Sequence, residues 1–124
     1  MPETTPPPSE ALQITPPHRE LLDQVLDKWS LEVLNQLCER PCRFNELRHA
    51  IPAVSQKSLS ATLRRLERNG IVARHVLSSR PVAVEYRITP LGKTLRHPVD
   101  VLLDWAGRHL PAIEAARRTY DETT

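Results

Sequence analysis

The chain has 124 residues, a net charge of +2 and only two cysteines. That length admits one domain with a modest core, or a core completed by a partner subunit. No run of about 18 apolar residues is present, which excludes a membrane-spanning helix. The opening MPETTPPPSE has neither the basic start nor the apolar stretch of a signal peptide, so a cytoplasmic protein is expected.

Residues 1–17 hold six of the twelve prolines and read as a flexible tail. From His18 the apolar spacing becomes helical. Leu21, Leu22, Val25 and Leu26 make one short amphipathic helix, and Trp29, Val33, Leu34 and Leu37 make a second, with Asp27 a candidate N-cap between them. Pro41 ends the second helix, because a proline has no N–H to continue it. In CRFNELRHAI the residues Phe44, Leu47 and Ile51 keep helical spacing, with Asn45 a candidate cap and Pro52 the stop. The short stretch PAVS leads into SQKSLSATLRRLERNG. There Ser55 is placed to accept an N–H bond at the start, and Asn69-Gly70 supplies a left-handed stop. Two short helices across a tight turn predict a helix-turn-helix.

Beyond Gly70 the period falls toward two. IVARHVL (71–77) and VAVEYRI (82–88), separated by SSRP, are rich in β-branched residues and predict a hairpin. A hairpin directly after a helix-turn-helix is a wing. Thr89-Pro90 restarts a helix, Pro98 is read as a break, and an apolar stripe of Val99, Leu102, Leu103, Ala106, Leu110 and Ile113 follows. The expected fold is mainly α with a small β-hairpin wing (α+β). It is a winged helix-turn-helix over residues 18–120, with dimerisation helices at about 90–120 and a tail at 121–124. The stripe, with Leu21, Leu22 and Val25, exceeds what a three-helix core and hairpin can cover, which predicts a homodimer joined through the terminal helices. The alternative is a terminal helix folded back on its own domain.

Charge is unevenly placed. Residues 40–80 carry nine Lys or Arg against Glu46 and Glu67, a local net of +7, which leaves −5 for the remainder. A concentrated cationic surface suits a polyanion, and phosphate neutralisation supplies the sequence-independent part of DNA affinity. At about 100° per residue, Leu59, Leu63 and Leu66 share one side of their helix. Lys57, Ala61, Arg64 and Arg68 lie opposite, flanked by Ser60 and Arg65. The candidate DNA-binding residues are Arg43, Ser55, Gln56, Lys57, Ser60, Ala61, Arg64, Arg65, Arg68 and Arg80. Gln56, Lys57, Ser60, Ala61 and Arg64 are placed to reach base edges in a major groove. Arg65, Arg68 and Arg43 are placed for phosphates, and Arg80 at the wing tip for the minor groove. Arg48 suits either a phosphate or an intrachain ion pair.

The run RFNELRHAIPAVSQKSLSATLRRLERNGIVAR followed by VEYRITPLG resembles the HxlR-type winged helix-turn-helix transcriptional regulators, from about Lys28-Trp29 to Trp105. The resemblance implies a homodimeric bacterial regulator on a two-fold-related operator near its own or a neighbouring gene. It also implies a response to a small molecule or reactive species, with repression the expected sense. The sequence departs from the family at three places. Members often carry a sensing cysteine well before the tryptophan, where this chain has about Pro16. The glycines common before K-W are Leu26 and Asp27 here, and the arginine common before V-E-Y is Ala83.

Cys38 and Cys42 flank Pro41, and Arg40 and Arg43 are near enough in sequence to lower a thiol pKa. A thiol sensor is therefore one reading, and packing as small hydrophobes is the favoured other. The five histidines are scattered, so no metal or cofactor is expected. With only three glycines and no phosphate loop, zinc-protease motif or nucleophile elbow, no enzymatic activity is expected. Two functions compete with the plain DNA-binding regulator: a winged-helix protein-interaction module without DNA binding, and a redox-sensing regulator using Cys38 and Cys42.

Overall fold

The computed structural model describes residues 13–123. Residues 1–12 of the proline-rich tail, and Thr124, lie outside the described part. Helix α1, Pro16–Val25, starts earlier than the spacing of leucines suggests. Thr15 caps it by accepting the His18 N–H, and Pro16 and Pro17 occupy first-turn positions where a missing N–H costs nothing. Residues 16 and 17 are therefore helix rather than tail.

Helix α2, Ser30–Glu39, begins where the Asp27 carboxylate accepts the Ser30 N–H at 3.0 Å, and it stops ahead of Pro41. Strand β1, Cys42–Arg43, is an element the sequence did not announce. Helix α3, Phe44–Ala50, is capped by Glu46, whose carboxylate accepts the Arg43 N–H at 2.7 Å. Asn45 lies inside that helix and is not its cap. Residues 51–55 then turn into helix α4, Gln56–Arg68.

The end of α4 is a Schellman turn. The Gly70 N–H reaches the Glu67 carbonyl at 3.0 Å, the Ile71 N–H reaches the Leu66 carbonyl at 2.9 Å, and Gly70 takes φ +75°. Strands β2, Val72–Ser79, and β3, Val82–Ile88, form the wing, with a bulge between Val76 and Ser78. The sheet order is β1-β3-β2 and all pairs are antiparallel, with Cys42 opposite Tyr86 and Arg43 opposite Glu85.

Helix α5, Pro90–Lys93, is one turn capped by Thr89, and helix α6 runs Arg96–Thr123. The break falls at Thr94 and Leu95, not at Pro98, which sits in the first turn of α6 where proline is tolerated. Residues 121–123 continue α6 and are not a separate tail. The core joins Val33, Leu34 and Leu37 of α2 to Leu47 of α3, Leu59, Leu63 and Leu66 of α4, and Ile71 and Val72 at the wing root. Val25 (2 % exposed) and Val99 (6 %) are buried within the chain's own fold, which corrects their assignment to a surplus intersubunit surface. Leu21, Leu22, Leu102, Leu103, Ala106, Leu110 and Ile113 remain exposed.

Candidate nucleic-acid interface

Four buried side chains seat α4 in the core: Leu59, Thr62, Leu63 and Leu66 are all at most 1 % exposed. Because that side is packed, the opposite side faces outward. Lys57, Arg64 and Arg68 are exposed there, with Ser60 and Ala61 half-buried beside them, whereas Gln56 shares the wheel position of Leu63 and is exposed as the first residue of the helix. Lys57 and Arg64 make no ion pair among the described residues, so their charge is available to a ligand.

The remaining candidates separate. The Ser55 hydroxyl accepts the Ser58 N–H at 3.0 Å, which commits it to capping the helix. Arg65 turns off the outward row. Its guanidinium pairs with the Asp27 carboxylate at the α1–α2 junction and donates to the Thr62 hydroxyl at 3.2 Å. Arg65, expected from the sequence at a phosphate, is engaged within the chain in this structure. Arg68 stays exposed and donates to the Gln24 side-chain carbonyl at 2.9 Å, beside Asn69, whose amide donates to the same oxygen at 2.7 Å. Gln24 belongs to α1 and was not among the sequence candidates, because nothing in the local pattern of α1 points toward α4.

Arg43 is exposed at the start of α3, and Arg48 is exposed without an ion pair among the described residues. Arg80 is exposed in the turn between β2 and β3, with its N–H on the Ser78 hydroxyl at 3.2 Å. Four other arginines pair with acids: Arg40 with Glu46 at 3.3 Å, Arg87 with Glu85 at 2.9 Å, Arg96 with Asp100 at 3.7 Å and Arg108 with Asp104 at 3.0 Å.

Both cysteines are free. Cys42 is buried in β1 and its thiol donates to the Arg40 carbonyl at 3.5 Å. Burial pushes its pKa up; the Arg40 charge opposes this, but less strongly. Cys38 is half-buried on α2, against a cavity also lined by Leu34, Ile88 and Val99. No cluster of three His, Cys, Asp or Glu fit to hold a metal occurs among the described residues. Within the same residues, no helix is long and apolar enough to cross a membrane.

A turn-linked helix pair with an exposed cationic second helix, followed by a hairpin, defines a winged helix-turn-helix transcriptional regulator. The chain matches the HxlR-like helix-turn-helix family over residues 24–114 and belongs to that family. It is 39 % identical over 101 residues to the HTH-type transcriptional regulator YtfH of Escherichia coli (strain K12), covering 82 % of this chain and 80 % of that one. The structure of the transcriptional regulator ytfH from Salmonella typhimurium superposes with a TM-score of 0.74 at 36 % identity, covering 82 % of this chain and 91 % of the other. The redox regulator HypR in its reduced form gives a TM-score of 0.73 at 33 % identity, covering 80 % and 98 %.

Proposed function

We propose that the chain acts in the cytoplasm as a homodimeric, non-enzymatic regulator that reads a two-fold-related operator and represses by occupying it. Each α4 would enter a major groove, with Lys57 and Arg64 toward base edges and Arg68 and Arg43 on phosphates. Arg80 would then approach a flanking minor groove. The observation that carries this reading is the outward row Lys57–Arg64–Arg68, exposed on a helix whose other side is locked by three buried leucines. Dimerisation is supported by α6, whose residues 101–123 are all exposed although they include Leu102, Leu103, Leu110 and Ile113. A helix left in water at that apolar content is better covered by a second copy. Two such recognition helices would sit about 34–36 Å apart, one turn of B-DNA.

The test is duplex binding by fluorescence anisotropy across a salt series. Affinity should fall steeply with salt as counterions are released. Lys57→Ala and Arg64→Ala should each cost about 1–3 kcal/mol of discrimination at the preferred base and leave thermal stability nearly unchanged. Absence of duplex affinity at low salt would replace this reading with the protein-interaction module. Unchanged specificity in both variants would reduce the cationic row to a solvated surface.

A further inference from the structure

Arg64, Arg65 and Arg68 lie within little more than one turn of α4, yet the fold treats them differently. Arg64 is open, Arg68 is held by the neutral Gln24 and keeps its charge exposed, and Arg65 alone meets an acid. That acid is not a mobile surface group. One carboxylate oxygen of Asp27 faces Arg65, while the other accepts the Ser30 N–H at 3.0 Å and the Ser30 hydroxyl. Ser30 is fully buried at the start of α2, where the helix dipole favours a carboxylate in its charged form. The Asp27 and Arg65 side chains are 21 % and 35 % exposed, so salt screens them less than an open surface pair. The guanidinium nitrogen that faces Asp27 also donates to the hydroxyl of Thr62, itself 1 % exposed.

We infer that Asp27 determines specificity in DNA binding by neutralising Arg65 and holding it off the DNA-facing row of α4. This rests on the DNA-binding reading above. A flexible arginine beside a recognition helix finds phosphates on any sequence, and each such contact adds affinity that carries no information. Asp27 removes one such contact while leaving Arg64 free for bases and Arg68 charged for the backbone. The α1–α2 junction thereby sets the ratio of specific to non-specific binding without touching DNA.

Two labelled duplexes test this: one enriched by the wild-type chain from a random-sequence pool, and a scrambled duplex of the same length and composition. Asp27→Asn keeps an acceptor for Ser30 and removes the charge. It should bind the scrambled duplex roughly three- to tenfold tighter at about 50 mM salt, and steepen the log–log salt slope by about one unit. The preference for the enriched duplex should shrink. Adding Arg65→Gln to Asp27→Asn should restore the wild-type slope, and Arg65→Gln alone should leave the slope as it is in wild type. Glu114→Gln, the same charge change on the exposed part of α6, should not alter the slope. A loss of about one slope unit in Arg65→Gln alone would put Arg65 on a phosphate and overturn the inference. So would an Asp27→Asn chain that weakens on both duplexes in step with a lowered melting temperature, its slope unchanged. A wild-type chain that enriches no duplex at all would overturn the DNA-binding reading itself, and this inference with it.

Discussion

Cys42 illustrates how burial decides the chemistry of a single side chain. The thiol sits in β1, opposite Tyr86 of β3, and donates to the Arg40 carbonyl, and desolvation raises its pKa against the pull of the Arg40 charge. Only the thiolate is a good nucleophile, so Cys42 should react slowly while the chain is folded. Treatment of native protein with a thiol reagent near neutral pH, read by mass spectrometry of peptides, should label Cys38 well before Cys42. Denaturant should equalise them. The same shift has a stability consequence. A group whose folded pKa is raised stabilises the fold fully below its unfolded pKa, about 8.5 for cysteine, and loses that contribution as pH climbs through the folded value. Melting temperature should therefore fall on the alkaline side in wild type, with a smaller fall in Cys42→Ala. Early labelling of Cys42 in native protein would revive the thiol-sensor reading.

At the scale of elements, one junction ties α4 to the wing and to α5. The Thr89 hydroxyl donates to the Gly70 carbonyl at 2.6 Å and accepts the Gly92 N–H at 2.9 Å, while the Thr89 N–H reaches the Ile71 carbonyl at 3.0 Å. A side chain at Gly92 would find its Cβ 2.2 Å from the Ile71 carbonyl oxygen and 2.8 Å from Ile88. The backbone of the α4–wing link passes there too closely for anything but glycine. Gly92→Ala should thus cost about 1–3 kcal/mol, the range for overpacking, and should weaken duplex binding by displacing the wing. Gly107→Ala, where nothing lies within 4 Å, should instead be neutral or stabilise by up to about 1 kcal/mol through helix propensity. Urea denaturation of both variants checks the contrast; equal effects would mean the close approach at Gly92 relaxes freely.

For the whole molecule the unbalanced feature is α6. It is tied to the domain near Leu95 and Val99, and every side chain of residues 101–123 is exposed. Trp105, 54 % exposed, stacks on His109 of its own helix at 5.0 Å, so the indole is sequestered only on one side. Burying Leu102, Leu103, Leu110 and Ile113 would each contribute roughly 1.5–3 kcal/mol, upper values before the cost of association. Light scattering at micromolar concentration should give the mass of a dimer. Leu102→Glu combined with Leu110→Glu should give a monomer that retains its thermal core but loses tight binding to a two-half-site duplex. A monomeric wild type, unchanged by DNA, would contradict the proposed assembly.

What the sequence determined by itself was local. The Ser55 cap, the leucine side of α4, the Asn69-Gly70 stop and the alternating β-branched wing are each decided within a few residues, by hydrogen bonds and side-chain spacing that need no distant partner. From those signals the helix-turn-helix and its outward cationic row were legible. Tertiary structure decided whatever depends on a partner far along the chain. Two residues at Cys42 and Arg43 carry no strand pattern, and they become β1 because β3 has an unpaired edge beside them. Val25 and Val99 look like surplus on a helical wheel, yet both are buried once the fold packs around them. Arg65 reads as one more cation in a basic helix, and only the packing of the α1–α2 junction against α4 brings Asp27 to it. Periodicity assigns a side chain to a face, whereas its neighbour across that face is set by how the elements pack.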